Sequence, residues 1–293
     1  MRSLLFVPAD SEKKIAKALS VGADCLILDL EDSVAPAQKA KARPMAAAFI
    51  AQTRQKPQRP KLYVRINPLD TVEWERDLAG VLASGPDGIL LPKARSAADV
   101  ARLAVALDQG EANAGITNGQ TRIMVLASEV PMAILTLPSY LDTSARLDAL
   151  TWGAEDLSAV VGSSATREPG GGWTSPYKLA RDMCLFTAVA AGCQPIDTVY
   201  VDFRDAAGFA EECRLAARDG FTGKMAIHPD QVAVINAAFT PNDAEISRAN
   251  EIVALFRDNP NSGALSLRGQ MIDRPHLVLA ERILARAKLA GRG

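Results

Sequence analysis

Eight short apolar, β-branched runs recur along the chain, and between them the apolar residues fall three and four apart. The runs are LLFVP (4–8), CLILDL (25–30), KLYVRIN (61–67), GILLPK (88–93), RIMVLAS (122–128), LDALTWG (147–153), DTVYVDF (197–203) and GKMAIH (223–228). Helical spacing occupies 12–21, 37–54, 96–108, 176–191 and 205–218. A strand buried on both faces reads as a near-continuous apolar run, and a parallel neighbour must be reached through a crossover, usually a helix. Eight such units predict an α/β chain closed into a (β/α)8 TIM barrel. An open doubly wound sheet is the alternative, because periodicity does not report closure. No G-x-G-x-x-G follows a strand, which removes the usual dinucleotide fingerprint.

After His228 the pattern changes. Helix candidates at 242–257 and 276–289 flank the turn-rich NPNSGA at 259–264. The expected organisation is a catalytic barrel over 1–229 and a C-terminal helical lid or oligomerisation segment over 230–293.

Charge and composition exclude several classes of function. With 33 basic and 34 acidic residues the net charge is −1, which offers nothing to nucleic acid or an anionic membrane. No apolar run approaches the roughly 18 residues of a membrane span. The opening MRSLLFVPADSEKK has too short an apolar core for a signal peptide, so a cytoplasmic protein is expected. Cys25, Cys184, Cys193 and Cys213 form no C-x-x-C pair and read as buried thiols. With only two histidines, a zinc site is disfavoured, and any metal would be a hard cation on carboxylates.

In barrels of this kind chemistry collects where strands end. Read in order, the ends offer Asp29, Glu31 and Asp32, then Arg65 and Asn67, then Lys93, Glu129, Glu155 with Asp156, Asp202 with Arg204, and His228. So many acids on one rim repel one another unless something positive sits among them. Arg65 and Lys93 could serve, and so could a divalent cation on Glu129 and Asp156, since magnesium takes one or two protein carboxylates and keeps positions for water and substrate. The competing interpretation is a salt-bridge ring that only holds the mouth. The planar fork of Arg65 suits a substrate carboxylate or an ion pair with Asp29 or Glu31. Lys93 could form a Schiff base, but carboxylate neighbours raise an amine's pKa and favour a simple charge partner. REPGGGW (167–173) reads as a mobile connection over the mouth, and His228, before Pro229, as a structural cap. Asp273 in GQMIDRP is a turn residue or an acid delivered to a site.

RSLLFVPAD, LDLEDSVAPAQKAKAR, VRINPLDT, LLPKA, LTWGAEDLSAVVG, GFTGKMAIHPDQV, AFTP and GQMIDRP appear in that order along nearly the whole chain. Jointly they make the sequence resemble the HpcH/HpaI aldolase and citrate lyase beta-subunit-like family of CoA ester lyases. The resemblance implies a barrel with a C-terminal lid, assembled as a homotrimer or a dimer of trimers with lids exchanged. It implies Mg2+ (or Mn2+) on Glu129 and Asp156, and a substrate held by Arg65 and Glu129. Asp32 matches an acid near the metal's water ligands, with Glu155 behind the site. Asp273 matches an acid/base supplied by a neighbouring subunit, and Lys14 and Lys17 match contacts to CoA phosphates.

The implied activity is Mg2+-dependent cleavage of a 3-hydroxyacyl-CoA, such as citramalyl-CoA or malyl-CoA, to an α-keto acid and acetyl-CoA or a related acyl-CoA. The alternatives are a citrate lyase beta subunit acting on a citryl-acyl-carrier protein beside its partner subunits, a malate-synthase-like thioesterase, a metal aldolase acting without CoA, and a non-catalytic acyl-CoA-binding barrel. One segment departs from the family. Where many relatives read E-T-A-x-G, this chain reads Glu129-Val130-Pro131-Met132-Ala133, with the proline placed to open the next helix.

Overall fold

Eight parallel strands pair in chain order, and the eighth returns to the first. They are β1 (Ser3–Pro8), β2 (Cys25–Asp29), β3 (Lys61–Arg65), β4 (Gly88–Leu91), β5 (Arg122–Leu126), β6 (Leu147–Thr151), β7 (Gln194–Asp197) and β8 (Gly223–Ala226). The computed structural model describes residues 1–292. Pairing of Leu4 with Met225 and of Leu5 with Ala226 closes the barrel and removes the open-sheet alternative.

The helices between strands are α1 (Glu12–Ala18), α2 (Lys39–Thr53), α3 (Glu73–Val81), α4 (Ala97–Ala114), α5 (Pro131–Thr136), α6 (Ala154–Val161), α7 (Ser175–Ala190) and α8 (Ala206–Asp219), with α9 (Gln231–Ala238) after β8. Their ends follow from local chemistry. The Ser96 hydroxyl accepts the Ala98 N–H at the start of α4, and Gly115 ends it at φ 66°. Pro131 opens α5 at its first position, where no N–H is missed.

Register sets what the mouth presents. Pro8 pairs with Asp29 and Asp29 with Arg65, so the last residues of β1, β2 and β3 share one layer. Below them Leu4, Cys25, Ile27, Tyr63, Leu90, Met124, Ala149, Ile196 and Met225 fill the interior. A Cβ at position 88 would meet the Tyr63 ring at 2.3 Å, so Gly88 is what lets that ring cross the barrel and bond Asp148 Oδ2 at 2.5 Å. Cys25, Cys184 and Cys213 are buried free thiols and Cys193 is half-buried.

Two strand assignments shift. Of the run at 197–203 only Asp197 lies in a strand; β7 spans Gln194–Asp197, through Pro195. That proline lacks a ladder donor, yet its carbonyl accepts the Thr222 N–H at 3.0 Å and its ring is buried. Val201, Asp202, Phe203 and Arg204 are exposed loop residues, so Asp202 and Arg204 do not end a strand; Asp197 does. Likewise β6 stops at Thr151, and Glu155 and Asp156 stand in the first turn of α6. Carboxylates there complement the positive end of the helix dipole.

The chain divides into two units, Met1–Asn236 and a second beginning at Ala237. The second unit holds α10 (Asp243–Asp258), α11 (Arg274–Leu289) and an antiparallel hairpin of β9 (Ala264–Leu267) and β10 (Gln270–Asp273). The helical-segment expectation omitted this hairpin. Its two-residue turn, Arg268 at φ 50° and Gly269 at φ 79°, is the left-handed pair that short hairpins require. Ala249, Ile252, Phe256, Ile272 and Ala280 form the unit's own core. No helix among the described residues is long and apolar enough to cross a membrane.

Candidate active site at the mouth of the barrel

Asp29 and Arg65 end adjacent strands in register, and their side chains meet. Arg65 Nε and Nη2 donate to Asp29 Oδ1 and Oδ2 at 2.8 and 2.6 Å. Asp29 also accepts the N–H groups of Glu31 at 2.9 Å and Ser33 at 3.2 Å. Burial by itself would raise this carboxyl, but Arg65 and the N–H donors outweigh it and hold it below the ordinary value. Glu31 Oε2 lies 2.8 Å from Arg65 Nη1, a contact of charge rather than an aligned hydrogen bond.

Lys93 follows β4 and meets the same ring from the other side. Its ammonium lies 2.6 Å from Glu31 Oε1, 3.1 Å from Asp32 Oδ2 and 3.4 Å from Asp156 Oδ1. Desolvation opposes its charge, but those carboxylates raise its pKa, the reverse of what a Schiff-base nucleophile needs. Its backbone sits at φ 50°, and in that conformation its N–H donates to Glu129 Oε2 at 2.5 Å.

Glu129 is 2 % exposed. Burial, opposed by the Lys93 N–H and reinforced by Asp156 and Glu31, pushes its carboxyl up to about 8. It is packed rather than mobile, since a Cβ on Gly153 would fall 3.1 Å from its Cγ. The Ser128 hydroxyl accepts the Gly153 N–H at 3.1 Å, tying the strand carrying Glu129 to the start of α6.

These groups border a cavity of about 280 Å³ lined by Phe6, Pro8, Asp29, Ser33, Arg65, Glu129, Trp152, Gly153, Glu155, Asp156, Val199 and Ile227, among others. A larger groove of about 500 Å³ between α3 and α4, at Trp74, Leu78, Leu82 and Ala106, has only Glu75 as a titratable group. Chemistry therefore belongs to the smaller cavity. Among the described residues no group of three or more His, Cys, Asp and Glu forms a ready-made metal cage. The pair Glu129 and Asp156 still fits a hard cation that keeps most positions for water and substrate. Glu129 in particular is a buried carboxylate with no cationic side chain bonded to it among the described residues.

The remaining expected residues are scattered. Glu155 is exposed and lines the cavity instead of standing behind it. Asp32 is exposed and touches Lys93. Lys14 and Lys17 are exposed on α1 and do not line the cavity. Asp273 belongs to the second unit, at the junction of β10 and α11, with His276 Nδ1 at 2.5 Å from its Oδ1. His228 stacks on Phe203 at 5.0 Å, while the end of β8 is capped by Gln231, whose Oε1 accepts the Ile227 and His228 N–H groups.

Sequence reasoning missed a ring of contacts on the barrel's flank. Trp152 Nε1 and Lys224 Nζ both donate to Asp197, at 2.8 and 2.7 Å. Lys224 continues to Glu212 at 2.8 Å, and Glu212 to Arg167 at 2.6 Å. Arg167 lies over the Trp173 ring at 3.8 Å, and Trp173 meets Trp152 edge-on at 4.8 Å. The glycine-rich loop is thus pinned at its base, where Arg167 and Trp173 also pair as a β-bridge. A lysine inside the apolar strand GKMA was the signal that could have revealed this.

Residues 2–229 match the family model described as HpcH/HpaI aldolase/citrate lyase. The chain belongs to that family. Residues 179–292 also match a family of C–C bond lyases of the TIM-barrel fold. Among HpcH/HpaI relatives, the mitochondrial citramalyl-CoA lyase of Homo sapiens is 33% identical, over 98% of this chain and 85% of that protein. A citrate lyase subunit beta-like protein of Mycobacterium tuberculosis is 36% identical, over 97% of this chain and 94% of that one. The crystal structure of CitE from Mycobacterium tuberculosis, in complex with magnesium, acetoacetate and coenzyme A, superposes with a TM-score of 0.77 at 33% identity, covering 98% of each chain.

Proposed function

We propose that the protein is a Mg2+-dependent carbon–carbon lyase that cleaves a 3-hydroxyacyl-CoA thioester, such as citramalyl-CoA or malyl-CoA, to an α-keto acid and acetyl-CoA or a related acyl-CoA. The observation that carries this reading is Glu129, a buried carboxylate that feels the charge of Asp156 and has no cationic side chain bonded to it among the described residues, at the mouth of a barrel whose relatives include a citramalyl-CoA lyase. A relative's structure that holds magnesium, acetoacetate and coenzyme A supports the same assignment.

Glu129 and Asp156 would hold the ion, with Mn2+ as a substitute. Bound there, Mg2+ supplies stabilisation of the negative charge that develops on the substrate's oxygens as the bond breaks. Arg65 lines the cavity with its fork fixed by Asp29, and its remaining N–H groups would orient the substrate's carboxylate. Phe6, Trp152, Val199 and Ile227 provide an apolar wall that keeps water from the acyl chain. In the cleavage itself the hydroxyl gives up its proton, the electron pair of the carbon–carbon bond passes to the thioester's α-carbon, and that carbon regains a proton. Asp273, supplied by the lid of a neighbouring copy, is our candidate acid/base for those two transfers. Asp32 and Glu155 would order water near the ion, and Lys14 and Lys17 would meet the CoA phosphates.

The enzyme we propose is a cytoplasmic homo-oligomer, trimer or hexamer; exposed Met132, Leu135, Val160, Val161, Leu179 and Phe186 on α5, α6 and α7 support self-association. The deciding experiment is α-keto acid release from citramalyl-CoA and malyl-CoA, each with Mg2+ and with EDTA. Metal-dependent pyruvate or glyoxylate identifies the lyase and its acyl group. Free CoA without the α-keto acid identifies a thioesterase, and silence on both substrates removes the reading.

A further inference from the structure

Lys93 touches the carboxylate ring twice, through different atoms. Its backbone N–H is bonded to Glu129 at 2.5 Å, in a left-handed conformation that a non-glycine residue rarely adopts. Its ammonium lies 3.4 Å from Asp156. One residue therefore contacts both carboxylates suited to a divalent cation, one through a dipole and the other through a full positive charge.

The distances separate two roles for that charge. A lysine serving only to assemble the ligands would make its closest contact with them. The ammonium is instead closest to Glu31 and Asp32, at 2.6 and 3.1 Å, and furthest from Asp156. Glu31 has a second cation, Arg65, at 2.8 Å, so the ring does not depend on Lys93 alone for its balance. Asp156 has no other ion pair among the described residues.

We propose that Lys93 is a built-in competitor that sets the divalent-cation affinity of the site. Its ammonium shares Asp156 with the cation and holds ion affinity down in the absence of substrate, while its N–H keeps Glu129 in place. The substrate's carboxylate brings negative charge that offsets the repulsion between ammonium and ion, so ion and substrate bind more tightly together than apart. The inference deepens the lyase reading and rests on its assignment of Glu129 and Asp156.

The test is a Mn2+ titration of wild type, Lys93→Met, Lys93→Gln and Lys93→Arg, followed by the free-ion paramagnetic resonance signal, with and without pyruvate. A unit charge a few ångströms away, at an effective dielectric near 20, alters affinity by roughly tenfold or more. Both neutral variants should therefore bind Mn2+ at least about tenfold more tightly without pyruvate, and pyruvate should improve their binding less than it improves that of wild type. Lys93→Arg should follow wild type. A gain in affinity cannot come from a misfolded variant, and two neutral substitutions guard against the failure of one. Neutral variants that fold, by circular dichroism, and bind Mn2+ no more tightly than wild type overturn the proposal. An Asp156→Ala control separates the two levels. If it binds Mn2+ like wild type, the metal assignment falls and Lys93 with it; if it loses the ion while Lys93→Met shows no gain, only the competitor role falls.

Discussion

Arg65 and Asp29 are register partners at the ends of adjacent strands, and two parallel hydrogen bonds of 2.8 and 2.6 Å lock their side chains together. The pair fixes the orientation of a cation that lines the cavity, and Nη1 lies outside the pair, 2.8 Å from Glu31. Lysine cannot reproduce this, because an ammonium is a point charge without a planar fork. Arg65→Lys should keep the barrel folded and lower kcat/KM on citramalyl-CoA by on the order of 10²–10³. Steady-state kinetics beside a urea melt check this; unchanged kcat/KM would show that the fork serves only the mouth's stability.

Glu129 is expected to behave in opposite ways toward stability and toward metal. Its carboxylate is buried, disfavoured by Asp156 and Glu31, and among the described residues bonded only by a backbone N–H. Glu129→Gln should therefore melt at or above the wild-type temperature in EDTA. Added Mg2+ should raise the melting temperature of wild type and leave that of Glu129→Gln unmoved, because only a state that binds the ion gains from it. Equal shifts in both proteins would place the ion elsewhere.

The acid limb of stability should follow Glu111. This fully buried carboxylate accepts from Arg146 Nη1 and Nη2 at 3.0 and 2.6 Å, and from the N–H groups of Thr121 and Gly119 at 2.7 and 2.8 Å. Burial would raise its pKa, but these donors outweigh it and bring it down to about 2 from an ordinary 4.5. The folded value lies below the unfolded one, so the contribution is complete above about pH 4.5 and disappears as pH falls toward 2. Discounted for solvent screening, it amounts to on the order of 1–3 kcal/mol. Urea midpoints from pH 7 to pH 3 should fall more steeply for wild type than for Glu111→Gln, which starts lower; parallel lines would exclude Glu111 as the source.

Asp273→Asn tests the acid/base assignment without disturbing the ion. Turnover should drop by about 10²–10⁴, the usual contribution of a positioned acid/base. Mn2+ affinity should stay at the wild-type value, since the proposed ligands Glu129 and Asp156 are unchanged. Retained turnover would return Asp273 to the structural role its contact with His276 already performs.

Much of the fold was legible because parallel barrel strands are buried on both faces and announce themselves as apolar runs. The misplacement of β7 came from the same rule. DTVYVDF carries more β-branched residues than QPID, and Pro195 argues against a strand. Closure of the barrel overrides both preferences, since β6 and β8 require a partner between them and the Pro195 carbonyl can still accept. The hairpin of the second unit escaped because four-residue strands are too short for an alternation to stand out. At the site, the acid-rich rim was visible, while the buried Asp197–Lys224 pair was hidden by the misplaced strand.

The sequence by itself determined the alternation of elements, the family and the residue types that reach the mouth, because these depend on local periodicity and on motifs along the chain. The tertiary structure alone decided which cation answers which carboxylate. Asp29 obtained the fork of Arg65 through strand register, Glu31 became shared between Arg65 and Lys93, and Glu129 took a backbone N–H from Lys93. Charges interact through space and are amplified by burial, and neither distance nor burial is written in the order of the residues.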